Sequence, residues 1–321
     1  MEISRRNFLA GSAMALAGCR CPFGAVARNR SDYDGVQIGA ISYSFRSMKG
    51  DALDTIGYAV KAGIGSIELM GVTAETFAAI SNRTPRNGAE RAATLKGRLA
   101  VPDAKWVELR HRYEDAGVTI RIVKFGSIGE TAVSDAENDY YCRVAHLLGA
   151  TAVTREVPIS RKGQPNPQQP ADEREFGEVG RRCAAVAERN GIDIAFHNHT
   201  QINARTYDSA LLGYSKRLKI NFDIGHYVAA NDDDPLALVR KFADRIVSIH
   251  VKDRTTRAHG QQNLPFGAGD TPLGGLFALL KRERMDIPCD IELEYKIPEG
   301  SDAVREVGVC NRHCGDLIAK A

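Results

Sequence analysis

At 321 residues, 43% of them hydrophobic and 26% charged, the chain is long enough for one large domain or two small ones with a sizeable core. Its 43 Lys and Arg stand against 40 Asp and Glu, a formal charge of +3 that gives no broad basic field for nucleic acid. No run of 18 apolar residues occurs, which excludes a mature membrane-spanning helix.

In chain order, the first stretch stands apart. Ser4-Arg5-Arg6-Asn7-Phe8-Leu9 has the form of a twin-arginine export signal, and an Ala/Leu/Gly-rich run follows from Leu9 to Gly18. The expectation is a signal peptide over residues 1–27, cleaved after Ala25-Val26-Ala27, and a mature domain over 28–321 carried to the periplasm. Leu16-Ala17-Gly18-Cys19 resembles a lipobox, so acylation of Cys19 is the one route to the membrane. Without residues 1–27 the chain keeps 40 basic and 39 acidic residues and five cysteines: Cys142, Cys183, Cys289, Cys310 and Cys314. None forms a CxxC pair, and no disulfide framework is expected. Cys310 and Cys314 around His313 read as one turn of helix packing rather than a metal clip.

From Val36 onward a short β-branched run, a loop and an amphipathic helical run alternate. Strands are predicted at 36–43, 65–70, 118–124, 151–156, 192–197, 218–223, 246–251 and 289–294, and helices at 51–62, 103–116, 135–148, 172–190, 235–243, 272–284 and 301–320. Several helices stop at glycine: Ala62-Gly63, Ala116-Gly117, Leu148-Gly149 and Asn190-Gly191. This order predicts a single-domain (β/α)8 TIM barrel. A doubly wound open sheet would carry a glycine-rich phosphate turn after its first strand, where this chain has Ser42-Tyr43-Ser44-Phe45-Arg46. Three long loops are expected, at 80–101, 157–171 and 254–271; the last two follow strands and so lie on the face where barrel enzymes build their sites.

Polar residues end the predicted strands: Glu68, Lys124, Arg155-Glu156, His197-Asn198-His199, Asp223 with His226, His250 with Lys252-Asp253, and Glu292-Leu293-Glu294. Period-2 alternation turns His197 and His199, His250 and Lys252, and Glu292 and Glu294 to the same inward face. Imidazoles and carboxylates converging on a barrel mouth are costly to bury unless a cation neutralises them. A His/Asp/Glu set without thiolate suits Mn²⁺, Co²⁺, Mg²⁺, Fe²⁺ or Zn²⁺.

Phe196-His197-Asn198-His199, Asp223-Ile224-Gly225-His226, His250-Val251-Lys252-Asp253, Phe266-Gly267-Ala268-Gly269 and Ile291-Glu292-Leu293-Glu294 together resemble the xylose-isomerase-like barrel superfamily. That group holds sugar phosphate isomerases and epimerases, ketose 3-epimerases, inosose dehydratase and type IV AP endonucleases. The resemblance implies a metal held by His197, Asp223, His250 and Glu292, with His226 touching substrate. His199 is the alternative to His197, and Glu294 the alternative to Glu292. At His197 the epimerases carry a carboxylate; the His-x-His form is more like inosose dehydratase.

The chemistry implied is proton transfer beside a carbonyl through an enediolate, with Glu292, Glu294, His199 and His226 as acid/base candidates. Lys252 is a candidate to stabilise an oxyanion, or else to pair with Asp253; Glu68, Lys124 and Glu156 are candidates for binding substrate, with salt bridges from Glu68 and Glu156 to Lys124 and Arg155 as the alternative. The expected partner is a small carbohydrate, with homo-oligomer formation open. A lyase or dehydratase on a keto-sugar or inosose, and a non-catalytic carbohydrate-binding barrel, are the alternatives to an isomerase or epimerase. The even charge and the want of further His ligands at the early strand ends speak against a nuclease.

Overall fold

A computed structural model of the chain describes residues 30–81, 85–157, 173–200, 202, 204–207 and 211–321. The twin-arginine stretch, its cleavage points, Cys19 and nearly all of the 157–171 loop lie outside the described residues.

Eight parallel strands form the barrel: β1 Val36–Ile41, β2 Ser66–Met70, β3 Thr119–Lys124, β4 Ala152–Glu156, β5 Asp193–His197, β6 Leu218–Asp223, β7 Ile246–Val251 and β8 Cys289–Ile291. β1 pairs with β2 on one side and with β8 on the other, so the ring closes without a free edge. Strands covered on both faces read as nearly unbroken apolar runs, and every residue of β1 is buried. The register sets Asp223 of β6 beside His250 of β7, and His250 beside Asp290 of β8.

Around the ring lie α1 Ala52–Lys61, α2 Gly71–Phe77, α3 Gly88–Ala100, α4 Asp103–Asp115, α5 Asp135–Leu147, α6 Glu173–Asn190, α7 Ile224–Ala230, α8 Pro235–Lys241, α9 Leu273–Glu283 and α10 Ala303–Lys320. Helix starts are capped by side chains, as at Asp51, Ser134, Asp234 and Asp302. The expected terminators Gly63, Gly117, Gly149 and Gly191 have φ of +75°, +70°, +78° and +65°, the left-handed turn that ends a helix. On α10, Cys310 and Cys314 are both buried one turn apart, and the ring of His313 meets Phe266 edge-on.

Three helices depart from the expectation. Residues 80–101 are largely α3, which buries none of its residues although Ala92, Leu95 and Leu99 recur at helical spacing. Arg98 ties it to the barrel, with Nε and Nη2 on the two oxygens of Glu75 at 2.7 and 3.1 Å and Nη1 on Glu137 at 2.7 Å. The short α2 lies just before it. After β6 the chain enters α7 directly instead of a loop, and all seven residues of α7 are buried, which hides any amphipathic period. Gly225 lies inside this helix rather than ending the strand. A Cβ there would meet Lys252 Cγ at 2.4 Å, so the glycine lets α7 pass against the lysine stem.

The 254–271 segment is also ordered. Asp253–Arg254 pairs antiparallel with Asn263–Leu264, and the Asp253 carboxylate accepts from the backbone N–H groups of Gly267, Gly269 and Thr271 at 2.8, 2.9 and 3.2 Å. β8 ends at Ile291, three residues sooner than predicted. Ser44 Oγ takes over beyond it, donating to Ile291 O at 3.0 Å and accepting from Leu293 N at 2.9 Å.

Candidate metal centre at the barrel mouth

His197, Asp223, His250 and Glu292 bring one ligand atom each to within 4.8 Å of one another, and all four residues are buried. They stand at or just beyond the ends of β5, β6, β7 and β8. These are the four positions singled out by the family resemblance. Their alternates His199 and Glu294 lie further out, with 31% and 21% of their side chains exposed. Exposure thus sorts the set into an inner buried group and an outer group open to a small molecule.

Hydrogen bonds fix where the ring protons lie. Glu68, fully buried, accepts from Thr154 Oγ1 at 2.6 Å on one oxygen and from Asn221 Nδ2 at 3.0 Å on the other. The Asn221 amide N–H must face that carboxylate, so its Oδ1 faces His197 Nδ1, 2.7 Å away, and accepts the ring proton. The Nε2 lone pair of His197 is left buried without a hydrogen-bond partner. Burial, with Lys124 nearby, holds the His197 pKa well below its usual value, so the ring is neutral.

His250 lies between two carboxylates, with Nε2 on Glu68 at 2.7 Å and Nδ1 on Glu292 at 3.1 Å. Burial disfavours its charge, but these two partners outweigh burial and raise its pKa to about 10. Burial likewise works against Glu292, whose pKa Lys252 and His250 still hold well below the carboxylate range.

Asp223 uses its two oxygens differently. Oδ1 accepts from His226 N at 2.6 Å as the N-cap of α7. Oδ2 lies 2.9 Å from Lys252 Nζ as an ion pair but accepts no hydrogen bond. Burial pushes this carboxyl up to about 7, against the pull of Lys252. Asn198 holds the Asp223 backbone, accepting from its N–H at 2.8 Å and donating to its carbonyl at 3.0 Å.

A buried neutral imidazole nitrogen and a carboxylate oxygen, both lacking hydrogen bonds and both aimed into one cluster with His250 and Glu292, fit a divalent cation. One feature competes with it. Lys252 Nζ lies 2.7 Å from Glu292, 2.7 Å from Glu294 and 2.9 Å from Asp223, so an ammonium already neutralises three of the carboxylates. The unpartnered His197 Nε2 is the part of the site that Lys252 leaves unsatisfied.

The outer group is also paired. Lys124 Nζ meets Glu156 at 2.7 Å, and Glu156 Oε2 lies 3.4 Å from His199 Nδ1. Opposite them, Arg254 Nη1 is 2.5 Å from His226 Nδ1. Lys252 Nζ is 3.1 Å from His226 Nε2, so donors face both nitrogens of this ring, and Nε2 also lies 3.6 Å from Glu294. Burial first, then Lys252, holds the His226 pKa well below its usual value. Glu68 is the one sugar-binding candidate placed away from the mouth: it is 0% exposed beneath the site, and its oxygens are taken by Thr154, Asn221 and His250.

Asn221, Asn198 and Arg254 were not foreseen. Alternation carries a signal for two of them, since Asn221 shares parity with Asp223, and Arg254 with His250 and Lys252. A separate cleft of about 570 Å³ opens between α1 and α10, lined by Lys61, Arg305 and Arg312 among others. Among the described residues, the candidate metal groups lie in the barrel mouth or on the floor beneath it and not in this cleft.

A closed barrel of eight parallel strands, with a His/Asp/His/Glu cluster that could hold a metal at the carboxyl ends of its last four strands, defines the class as a (β/α)8 TIM barrel. The chain belongs to the Xylose isomerase-like TIM barrel family, whose sequence pattern matches residues 57–312. It is 32% identical over 127 residues to the rhizopine catabolism protein MocC of Rhizobium meliloti, a match spanning 37% of this chain and 38% of that protein's length. The probable 3-DHS dehydratase AsbF involved in petrobactin synthesis from Bacillus anthracis superposes with a TM-score of 0.63 at 13% identity, covering 86% of this chain and 98% of that one. D-Psicose 3-epimerase with D-tagatose from Clostridium cellulolyticum H10 gives 0.61 at 13% identity, covering 88% and 99%. At such identities the two structures show the shared fold.

Proposed function

We propose that this protein is a metal-dependent isomerase or epimerase of a sugar or keto-sugar, working through proton transfer next to a carbonyl. The observation that carries the reading is the unpartnered His197 Nε2 aimed into a cluster with Asp223, His250 and Glu292. A bound divalent ion supplies Lewis acidity toward a carbonyl and its neighbouring hydroxyl. The chain's own residues supply the rest. Glu294, partly exposed and held by Lys252, is the base within reach of a substrate C–H. His226, set between Arg254 and Lys252 and 3.6 Å from Glu294, is the matching acid/base group. Lys252 places positive charge where an enediolate oxygen develops. Glu156, Lys124 and His199 on the opposite wall are placed to bind hydroxyls.

His197 favours a second reading. With an imidazole at the end of β5, the inner group lacks a carboxylate on that side, and the carboxylate opposite Glu294 is Glu156 of the outer group, tied to Lys124 at 2.7 Å. Loss of water from the same enediolate is then the alternative outcome, as a lyase or dehydratase. Incubation with sugars, keto-sugars, inososes and sugar phosphates in deuterated water, with Mn²⁺ or Co²⁺, tests both. Exchange of one C–H without loss of mass is expected for isomerisation, and loss of water for dehydration. An absence of exchange and turnover across the panel, in protein shown to hold metal, would leave a carbohydrate-binding barrel.

A further inference from the structure

We infer that Glu68 is a positioning residue that aims both imidazoles of the metal centre, acting on His250 directly and on His197 through Asn221. The inference rests on the metal reading above and adds the device that holds its nitrogen ligands. Glu68 lies on β2, across the barrel from β5 and β7, which carry the two rings. Its Oε2 receives both His250 Nε2, at 2.7 Å, and Asn221 Nδ2, at 3.0 Å, while Thr154 Oγ1 holds Oε1 at 2.6 Å.

The two arms act alike. A carboxylate only accepts, so Glu68 holds a proton on His250 Nε2 and turns Nδ1 toward Glu292, to which Nδ1 donates its own proton until a cation takes that proton's place. Glu68 also draws the Asn221 amide N–H, which forces Asn221 Oδ1 toward His197 and pins that ring's proton on Nδ1. The consequence is visible at the far end, where His197 Nε2 is buried and unpartnered. The two rings stand with centroids 4.6 Å apart. Asn221 with its amide reversed would set an N–H against His197 and a carbonyl oxygen against Glu68. A histidine ligand whose other nitrogen is held by a carboxylate is oriented and made more basic, and loss of such a partner costs about 10–100-fold in metal affinity.

The experiment measures Mn²⁺ binding by titration calorimetry, the visible spectrum of bound Co²⁺, and the melting of metal-free protein. It compares the wild type with Glu68→Leu, Glu68→Gln, Asn221→Leu and the Glu68→Leu/Asn221→Leu double variant. Gln keeps an oxygen able to accept both bonds, so Glu68→Gln should bind Mn²⁺ within a few-fold of the wild type. Glu68→Leu should bind Mn²⁺ about 10–100-fold more weakly and shift the Co²⁺ spectrum. Asn221→Leu, which leaves the His250 arm intact, should lose less. The double variant should be no weaker than Glu68→Leu alone, because both arms pass through one carboxylate.

Wild-type protein that takes up no metal would overturn the metal reading itself. Wild-type protein that binds metal, with Glu68→Leu and Asn221→Leu binding equally well, would overturn the role of Glu68 alone. Losses that multiply in the double variant would show two independent supports and overturn it too. Asn221→Leu keeps the test decisive if Glu68→Leu does not fold, since it must still weaken binding and alter the Co²⁺ spectrum.

Discussion

Lys252 and Asp223 show how single residues serve two demands at this site. Asp223 caps α7 with one oxygen and offers the other to the cluster, so folding of the helix and assembly of the centre depend on one side chain. Lys252 is buried among Asp223, Glu292 and Glu294, and Gly225 gives its stem room to pass α7. Its ammonium therefore stabilises the metal-free protein and competes with any divalent ion for the same carboxylates. Removing one partner of a buried ionic group leaves the others uncompensated, at a cost of about 3–5 kcal/mol. Lys252→Met should accordingly melt well below the wild type without metal and recover more of that loss on adding Mn²⁺ than the wild type gains. Thermal denaturation with and without Mn²⁺ checks this; an equal metal-induced rise in both proteins would contradict it.

At the scale of elements, α3 and α7 are opposites. α7 is buried throughout and carries His226, whereas α3 buries none of its residues and is fastened by Arg98 to Glu75 and Glu137. Tyr140 and Tyr141 flank the same guanidinium at 5.7 and 5.4 Å from their ring centres. With few apolar contacts to retain it, α3 should open locally when that attachment is lost. Arg98→Met should speed amide hydrogen exchange across 88–100, while β5 to β7 keep their protection. Uniform loss of protection over the barrel would instead make Arg98 a support of the whole fold.

Across the whole molecule, the barrel closes where β1 meets β8, and polar groups face each other at that seam. Asp290 accepts from Ser248 and crowds Gly39, where an added Cβ would stand 2.2 Å from Asp290 Oδ1 and 3.0 Å from Ser66 O. Burial pushes the Asp290 carboxyl up to about 6. The glycine is required by space, since backbone lies on one side and a buried carboxyl on the other. Gly39→Ala should destabilise the protein by about 1–3 kcal/mol, as overpacking of a filled interior does. Denaturant melting checks it, and an unchanged midpoint would mean that the seam can spread.

The sequence alone determined the alternation of strands and helices, the glycines that stop the helices, and the polar residues at the strand ends. These are local matters, written in β-branched runs, in left-handed turns and in period-2 alternation. It also pointed to His197, Asp223, His250 and Glu292 as one set, through the resemblance of its strand-end motifs to the xylose-isomerase-like barrels, with His199 and Glu294 as alternates. Tertiary structure alone decided which members of each inward pair lie deep. It took Glu68 from the mouth to the floor, turned the Asp223 loop into a buried helix and brought Lys252 among three carboxylates. It also set the ring proton of His197 through Asn221. Depth, tautomer and ion pairing depend on partners tens to hundreds of residues away, as Glu68 and His250 are, and neither propensity nor spacing along the chain records those distances.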